Sequence, residues 1–211
     1  MKKISALVLA LVLVLSLFAG CSKETLVGKW EGKADISEVM AAAMTQVLGE
    51  GVEFTPDAVY LYATITMNKD GTYSFEFDKD KTTQSVLAMI DDLHEPLVET
   101  IYQSLEAQGI TREQADAAIK ESTGVTVADY VQTEIDSMKD SIDLDLDSDN
   151  MSGKYETKDG SLTLHSEEGD EVVQYTLKGD SLTLSLDGGF LSENEIFSGI
   201  DKIDFAFTRV N

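Results

Sequence analysis

The chain has one cysteine, two prolines, one tryptophan and two histidines in 211 residues. A lone thiol excludes an internal disulfide framework. Two prolines argue against a disordered stalk. No glycine-rich phosphate loop and no zinc-ligand spacing occurs. With only His94 and His165 available, no nucleophile–histidine–acid set stands out, and carboxylates are too abundant for any pair to signal acid–base work. An enzyme is therefore not expected. Basic residues are scarce too: 16 Lys+Arg stand against 39 Asp+Glu, a net charge of −23. Such a chain is repelled by nucleic acid and by anionic lipid surfaces, so nucleic-acid binding is not expected. What is plentiful is apolar surface, 43% of residues, enough for a real core.

The one cysteine has a telling position. Lys2 and Lys3 precede an apolar run from Ile4 to Phe18, followed by Ala19-Gly20-Cys21. A short basic start, an apolar stretch and small residues describe a secretory signal peptide, residues 1–20. Ile4–Cys21 is also near the minimum length of a membrane span, and the cysteine decides between the two. Phe18-Ala19-Gly20-Cys21 resembles the bacterial lipobox, with phenylalanine in place of the usual leucine. The resemblance implies cleavage before Cys21, diacylglycerol on its thiol, palmitate incorporation and a lipoprotein anchored on the extracytoplasmic face of the cell membrane. Residues 21–25 would be a lipidated tether. The mature chain would have 191 residues and a net charge of −25, since two lysines leave with the leader.

Behind the tether the ends of the chain read as strands and the middle as helices. Strands are expected at Leu26–Ala34, Ala58–Met67, Thr72–Asp78, Lys154–Thr157, Ser161–His165, Glu171–Lys178, Ser181–Leu186 and Ile203–Val210, from alternation and turn residues. Two-residue turns at Asp159-Gly160 and Gly179-Asp180 pair Tyr155 with Leu164, Leu177 with Leu182 and Tyr175 with Leu184. A three-residue loop, Lys69-Asp70-Gly71 with Gly71 left-handed, sets Ile65 opposite Phe75. Ser37 is read as the cap of a short helix. Val86, Ile90, Leu93, Leu97, Ile101 and Leu105 form one helical stripe, broken or kinked at Pro96. Thr111 with Gln114 is a capping box, and Thr126 starts a further helix. The resulting division is a barrel from 26–78 and 152–211 and a helical insertion from 79–151.

In up-and-down order every long connection falls at one end and every tight turn at the other. One end is plain and carries the chain's start; the other is an elaborated mouth. The fold class expected is mainly β with a helical insertion (α+β): an eight-stranded antiparallel barrel with helices capping one end.

"LVGKW" on the first strand resembles the Gly-x-Trp signature of lipocalins, here Gly28 and Trp30, and the barrel is similar to that group and the wider calycins. The chain looks still more like the lipocalin-like lipoproteins of bacteria, many of them uncharacterised. The resemblance implies that a last-strand arginine, Arg209, packs on Trp30. It also implies a barrel that can enclose one small apolar or amphiphilic ligand. Parity places Val59, Leu61, Phe75, Phe77, Tyr155, Leu164, Val173, Leu186, Ile203 and Phe205 inward toward the mouth, with Tyr155 as the polar group that would orient such a ligand. The negative surface favours a neutral or cationic amphiphile. The alternative is a structural or protein-interaction module with a filled barrel. One polar pattern remains. Asp145, Asp147, Asp149 and Glu156 stand at places 1, 3, 5 and 12 of a calcium loop. Asn150 replaces the turn glycine there, so a solvated acidic linker is the competing reading of a possible Ca²⁺ site.

Overall fold

The computed structural model describes residues 25–48, 54–144, 146, 150–167, 169–187 and 202–210. Eight strands run as β1 Gly28–Asp35, β2 Tyr60–Met67, β3 Thr72–Phe77, β4 Met151–Lys158, β5 Ser161–His165, β6 Asp170–Lys178, β7 Ser181–Asp187 and β8 Lys202–Val210. Each pairs antiparallel with the next, and β8 pairs with β1, so the sheet is a closed barrel in chain order. Residues 1–20, read from the sequence as a signal peptide, and Cys21 lie outside the described residues.

The turns set the register. Gly71 is left-handed at φ 82°, and Ile65 faces Phe75 while Met67 faces Tyr73. Asp159 and Gly160 both have positive φ, 51° and 82°, the signature of a type I′ hairpin. Tyr155 then faces Leu164, and across the next hairpin Leu177 faces Leu182. These pairings are the ones the sequence pattern predicts. They put one apolar face of every strand inside.

The helices are α1 Ser37–Leu48, α2 Lys79–Asp91, α3 His94–Glu106, α4 Arg112–Thr123 and α5 Val127–Ser141. Two details differ from the sequence reading. The long stripe is two helices, and the break falls at Asp92–Leu93, not at Pro96. Pro96 lies in the first turn of α3, where a missing N–H costs nothing. Its ring would clash with the carbonyl four residues back, that of Asp92, so the helix ends there. Ser37 belongs to α1 itself. Its N–H and hydroxyl donate to Asp35, and its Oγ accepts the Val59 N–H at 2.9 Å. It ties α1 to the start of β2. The two capping boxes, Thr111 with Gln114 and Thr126 with Asp129, are both formed.

Helix α2 continues the sheet by other means. Beyond Phe77, β2 has no strand on that side, and side-chain hydroxyls take the ladder's place. Thr82 Oγ1 accepts the Tyr62 N–H at 3.0 Å and Ser85 Oγ accepts the Tyr60 N–H at 2.9 Å. Thr82 is fully buried for this purpose. On the other edge of β3, Asn150 Oδ1 accepts the Phe77 N–H at 2.8 Å. Backbone donors at a sheet end need such partners once water is excluded. One apolar core runs from Trp30 and Met67 through the barrel to Val86, Ile90, Val131, Ile135 and Leu146. A second, smaller core of Tyr102, Ala115 and Val127 holds α3, α4 and α5 together.

Candidate functional site

The barrel interior is the candidate site, and its centre is aromatic. Phe75 on β3 meets Phe205 and Phe207 on β8 at ring-centroid distances of 5.7 and 6.3 Å, both edge-to-face. Phe77 meets Phe205 at 6.3 Å. Strands β3 and β8 are separated by β1 and β2 in the wall, so these contacts cross the interior. Gly32 on β1 makes room for them: a Cβ there would stand 2.5 Å from the Phe207 ring. Such edge-to-face pairs add about 0.5–1.5 kcal/mol each beyond their burial.

Of the residues read as a ligand lining, Val59, Leu61, Phe75, Phe77, Leu164, Val173, Leu186, Ile203 and Phe205 are all buried in this one core. Tyr155 is placed differently. Its hydroxyl donates to the Asn68 carbonyl at 3.0 Å, at the β2–β3 turn of the plain end, and its N–H donates to the Gly71 carbonyl. The stagger of neighbouring strands is the cause. Thr72, the first residue of β3, faces Lys154, so Tyr155 stands level with the turn instead of the mouth.

The plain end is closed by Trp30 and Arg209, which are cross-strand neighbours. The guanidinium carbon lies 4.0 Å from the indole centroid. Its Nη1 and Nη2 donate to the Val27 and Thr25 carbonyls at 2.6 and 2.7 Å, and its Nε to Asp180 at 3.1 Å. The indole N–H donates to the Leu26 carbonyl. Gly28, at φ 145°, is required twice over, since a Cβ would also fall 2.5 Å from Arg209 Nη1. The arginine pins the incoming chain to the barrel floor.

Parity also turns one carboxylate inward at the mouth. Glu171 faces Leu164 and shares a face with buried Val173. Its Oε1 is buried with no hydrogen-bond partner among the described residues. Burial holds its carboxyl above the usual carboxylate range; a hydrogen bond from the Asp187 backbone works against this, and the Asp187 charge pushes upward again. A raised carboxyl pKa contributes stability that is present at low pH and lost as pH rises through the folded-state value. Glu171→Gln is therefore expected to be the more stable form near pH 8, by about 1 kcal/mol for a half-buried unsatisfied acceptor. Its advantage should vanish near pH 4. Thermal melts across that range check this, and a deficit at pH 8 would contradict it.

Three depressions formed by described residues lie outside the wall or on the rim. The largest, about 610 Å³, sits at the mouth between α1 and β8, lined by Asp35, Ile36, Ser37, Glu38, Val39, Lys202, Ile203 and Asp204. Of the calcium pattern, Asp145, Asp147 and Asp149 lie outside the described residues. Glu156 is exposed on β4 opposite Thr163, and Asn150 is engaged by Phe77. Among the described residues no group of three or more His, Cys, Asp or Glu side chains is placed to hold a metal ion, and no helix is long and apolar enough to cross a membrane.

Sequence reasoning missed Gly32, Thr82 and Glu171. Gly32 shares the parity of Trp30, and Glu171 that of Val173, so alternation alone would have marked both.

The fold and its aromatic centre define a closed up-and-down antiparallel barrel compatible with a lipocalin-like protein. The chain matches no protein-family model, and no curated protein and no solved structure is significantly similar to it.

Proposed function

We propose that this chain is a membrane-anchored, extracytoplasmic lipoprotein whose lipocalin-like barrel is a structural or protein-contact module of the cell envelope. One observation carries the filled-barrel part: Phe75 on β3 reaches Phe205 and Phe207 on β8 across the interior. A ligand in that space would have to displace packed aromatic rings. The helical insertion shares the barrel's core at the mouth and presents the rest of its surface outward. The anchoring part is supported by the lipobox-like leader and by the chain's start at the plain end.

A second reading, a carrier of a small amphiphile, has one observation in its favour. The rim cleft of about 610 Å³ falls within the size range of small-molecule sites. Its carboxylates, Asp35, Glu38 and Asp204, would suit a neutral or cationic ligand. Native mass spectrometry of gently extracted protein, with titration of a hydrophobic fluorescent probe, separates the two. The module reading expects a bare polypeptide mass and no saturable probe uptake. A co-purifying ligand, or uptake saturating at one probe per chain, would replace it with the carrier reading.

A further inference from the structure

The barrel is electrically polarised along its axis. Each of the three tight turns at the plain end carries a lysine: Lys69, Lys158 and Lys178, in Lys69-Asp70-Gly71, Lys158-Asp159-Gly160 and Lys178-Gly179-Asp180. All three are exposed, and none forms an ion pair among the described residues. The turns, with the first two residues of β1 and the last two of β8, hold five cations, Lys29, Lys69, Lys158, Lys178 and Arg209, against three carboxylates, Asp70, Asp159 and Asp180. Lys29 is paired with Glu31 at 3.3 Å and Arg209 with Asp180, and Asp70 accepts from the Thr72 N–H and hydroxyl, so the three turn lysines are the cations of this end left without an ion pair among the described residues. At the opposite rim the strand ends and the β5–β6 loop carry Asp35, Glu76, Glu167, Asp170, Glu171 and Asp187 against Lys202. In a chain of net charge −23, the plain end is a local exception.

We propose that this lysine-bearing rim rests on the anionic headgroups of a phospholipid bilayer, which orients the barrel with its acidic mouth outward. The inference rests on the lipid-anchored reading and deepens it. Arg209 fixes Thr25 and Val27 at this same rim, and Cys21 is only four residues further upstream. Four residues span at most about 14 Å. A lipid on Cys21 therefore holds the rim near the bilayer surface, where a screening length of about 8–10 Å still lets the lysines feel anionic lipid. Juxtamembrane lysines gain from such a surface, while the carboxylates of the far rim and the helical insertion are held away from it. The whole-protein repulsion expected from composition becomes an orienting torque.

The test uses lysine acetylation read by mass spectrometry. The lipidated protein is reconstituted into vesicles of phosphatidylcholine, alone or mixed with phosphatidylglycerol. Lys69, Lys158 and Lys178 should be acetylated about fivefold more slowly on the mixed vesicles, and the protection should disappear in high salt. Lys120 on α4 and Lys202 at the mouth should not change. Equal labelling on both vesicles, or equal protection on both, would overturn the proposal. The mass of the Cys21 peptide reports acylation separately. If it is unmodified, the anchoring reading fails, and the same chain coupled through Cys21 to a maleimide lipid in the same vesicles still tests the rim.

Discussion

Phe205→Ala is expected to destabilise the barrel by about 3–5 kcal/mol, the usual cost of emptying a buried phenylalanine site. Phe205 is fully buried and touches Phe75, Phe77 and Phe207 at 5.7, 6.3 and 5.6 Å between ring centroids. Its neighbours are held by strand register on β3 and β8, so they cannot close the gap without moving the wall. The loss should therefore sit toward the upper end of the range. Phe75→Ala should behave alike, and the double variant should cost less than the sum, because each removes the other's partner. Denaturant unfolding with unchanged slope measures this. The same variant offers a second readout. An apolar cavity of that kind stays dry and takes up a small aromatic such as benzene, which should restore part of the melting temperature of Phe205→Ala and none of the wild type. A loss below about 1 kcal/mol would mean that the interior is already loose at this level, and the filled-barrel reading would go with it.

Most of the barrel was legible because turns and alternation agree. A left-handed Gly71, the Asp159-Gly160 hairpin and strict apolar alternation leave a single register, and a slip of one residue would expose every inward side chain. The Trp30–Arg209 contact was implied by the lipocalin resemblance, and closure of the sheet, which makes the first and last strands neighbours, allows it. What alternation cannot show is stagger. Parity put Tyr155 inside correctly, but the sequence reading set it toward the mouth, and only the β3–β4 pairing reveals that it stands beside Asn68 at the plain end. The same limit hid Thr82, Ser85 and Asn150. They finish a hydrogen-bond ladder where a strand stops, a need set by the relative lengths of neighbours. Pro96 was legible as a breaker, but its effect is exerted four residues upstream, at Asp92. The inward Glu171 was visible in the pattern. It reads as a defect only once Leu164 opposite it and the buried Oε1 are known.

Cys21→Ala is expected to abolish palmitate incorporation and release the protein from the membrane. The size of the effect follows from chain arithmetic. A single acyl chain gives marginal, reversible membrane binding, at about 0.8 kcal/mol per buried methylene, and stable anchoring takes two signals. On the lipoprotein reading, diacylglycerol would supply two chains at one residue, so losing the thiol would remove the whole anchor at once. No helix among the described residues is long and apolar enough to cross a membrane, and the proposed contacts of the rim lysines would be only three weak, salt-sensitive ones. The apolar leader, Ile4 to Phe18, is short of the roughly 20 residues that a spanning helix needs. If it stays uncleaved in the variant, it will still hold part of the protein on the membrane. Labelled palmitate is therefore the deciding readout, and fractionation the second. The fold should be untouched, because Arg209 grips the chain at Thr25 and Val27, downstream of the substitution. An unchanged melting temperature would show that the loss of anchoring is not a loss of structure. Normal palmitate labelling of Cys21→Ala would end the lipoprotein reading, for the chain has no second thiol to carry the lipid.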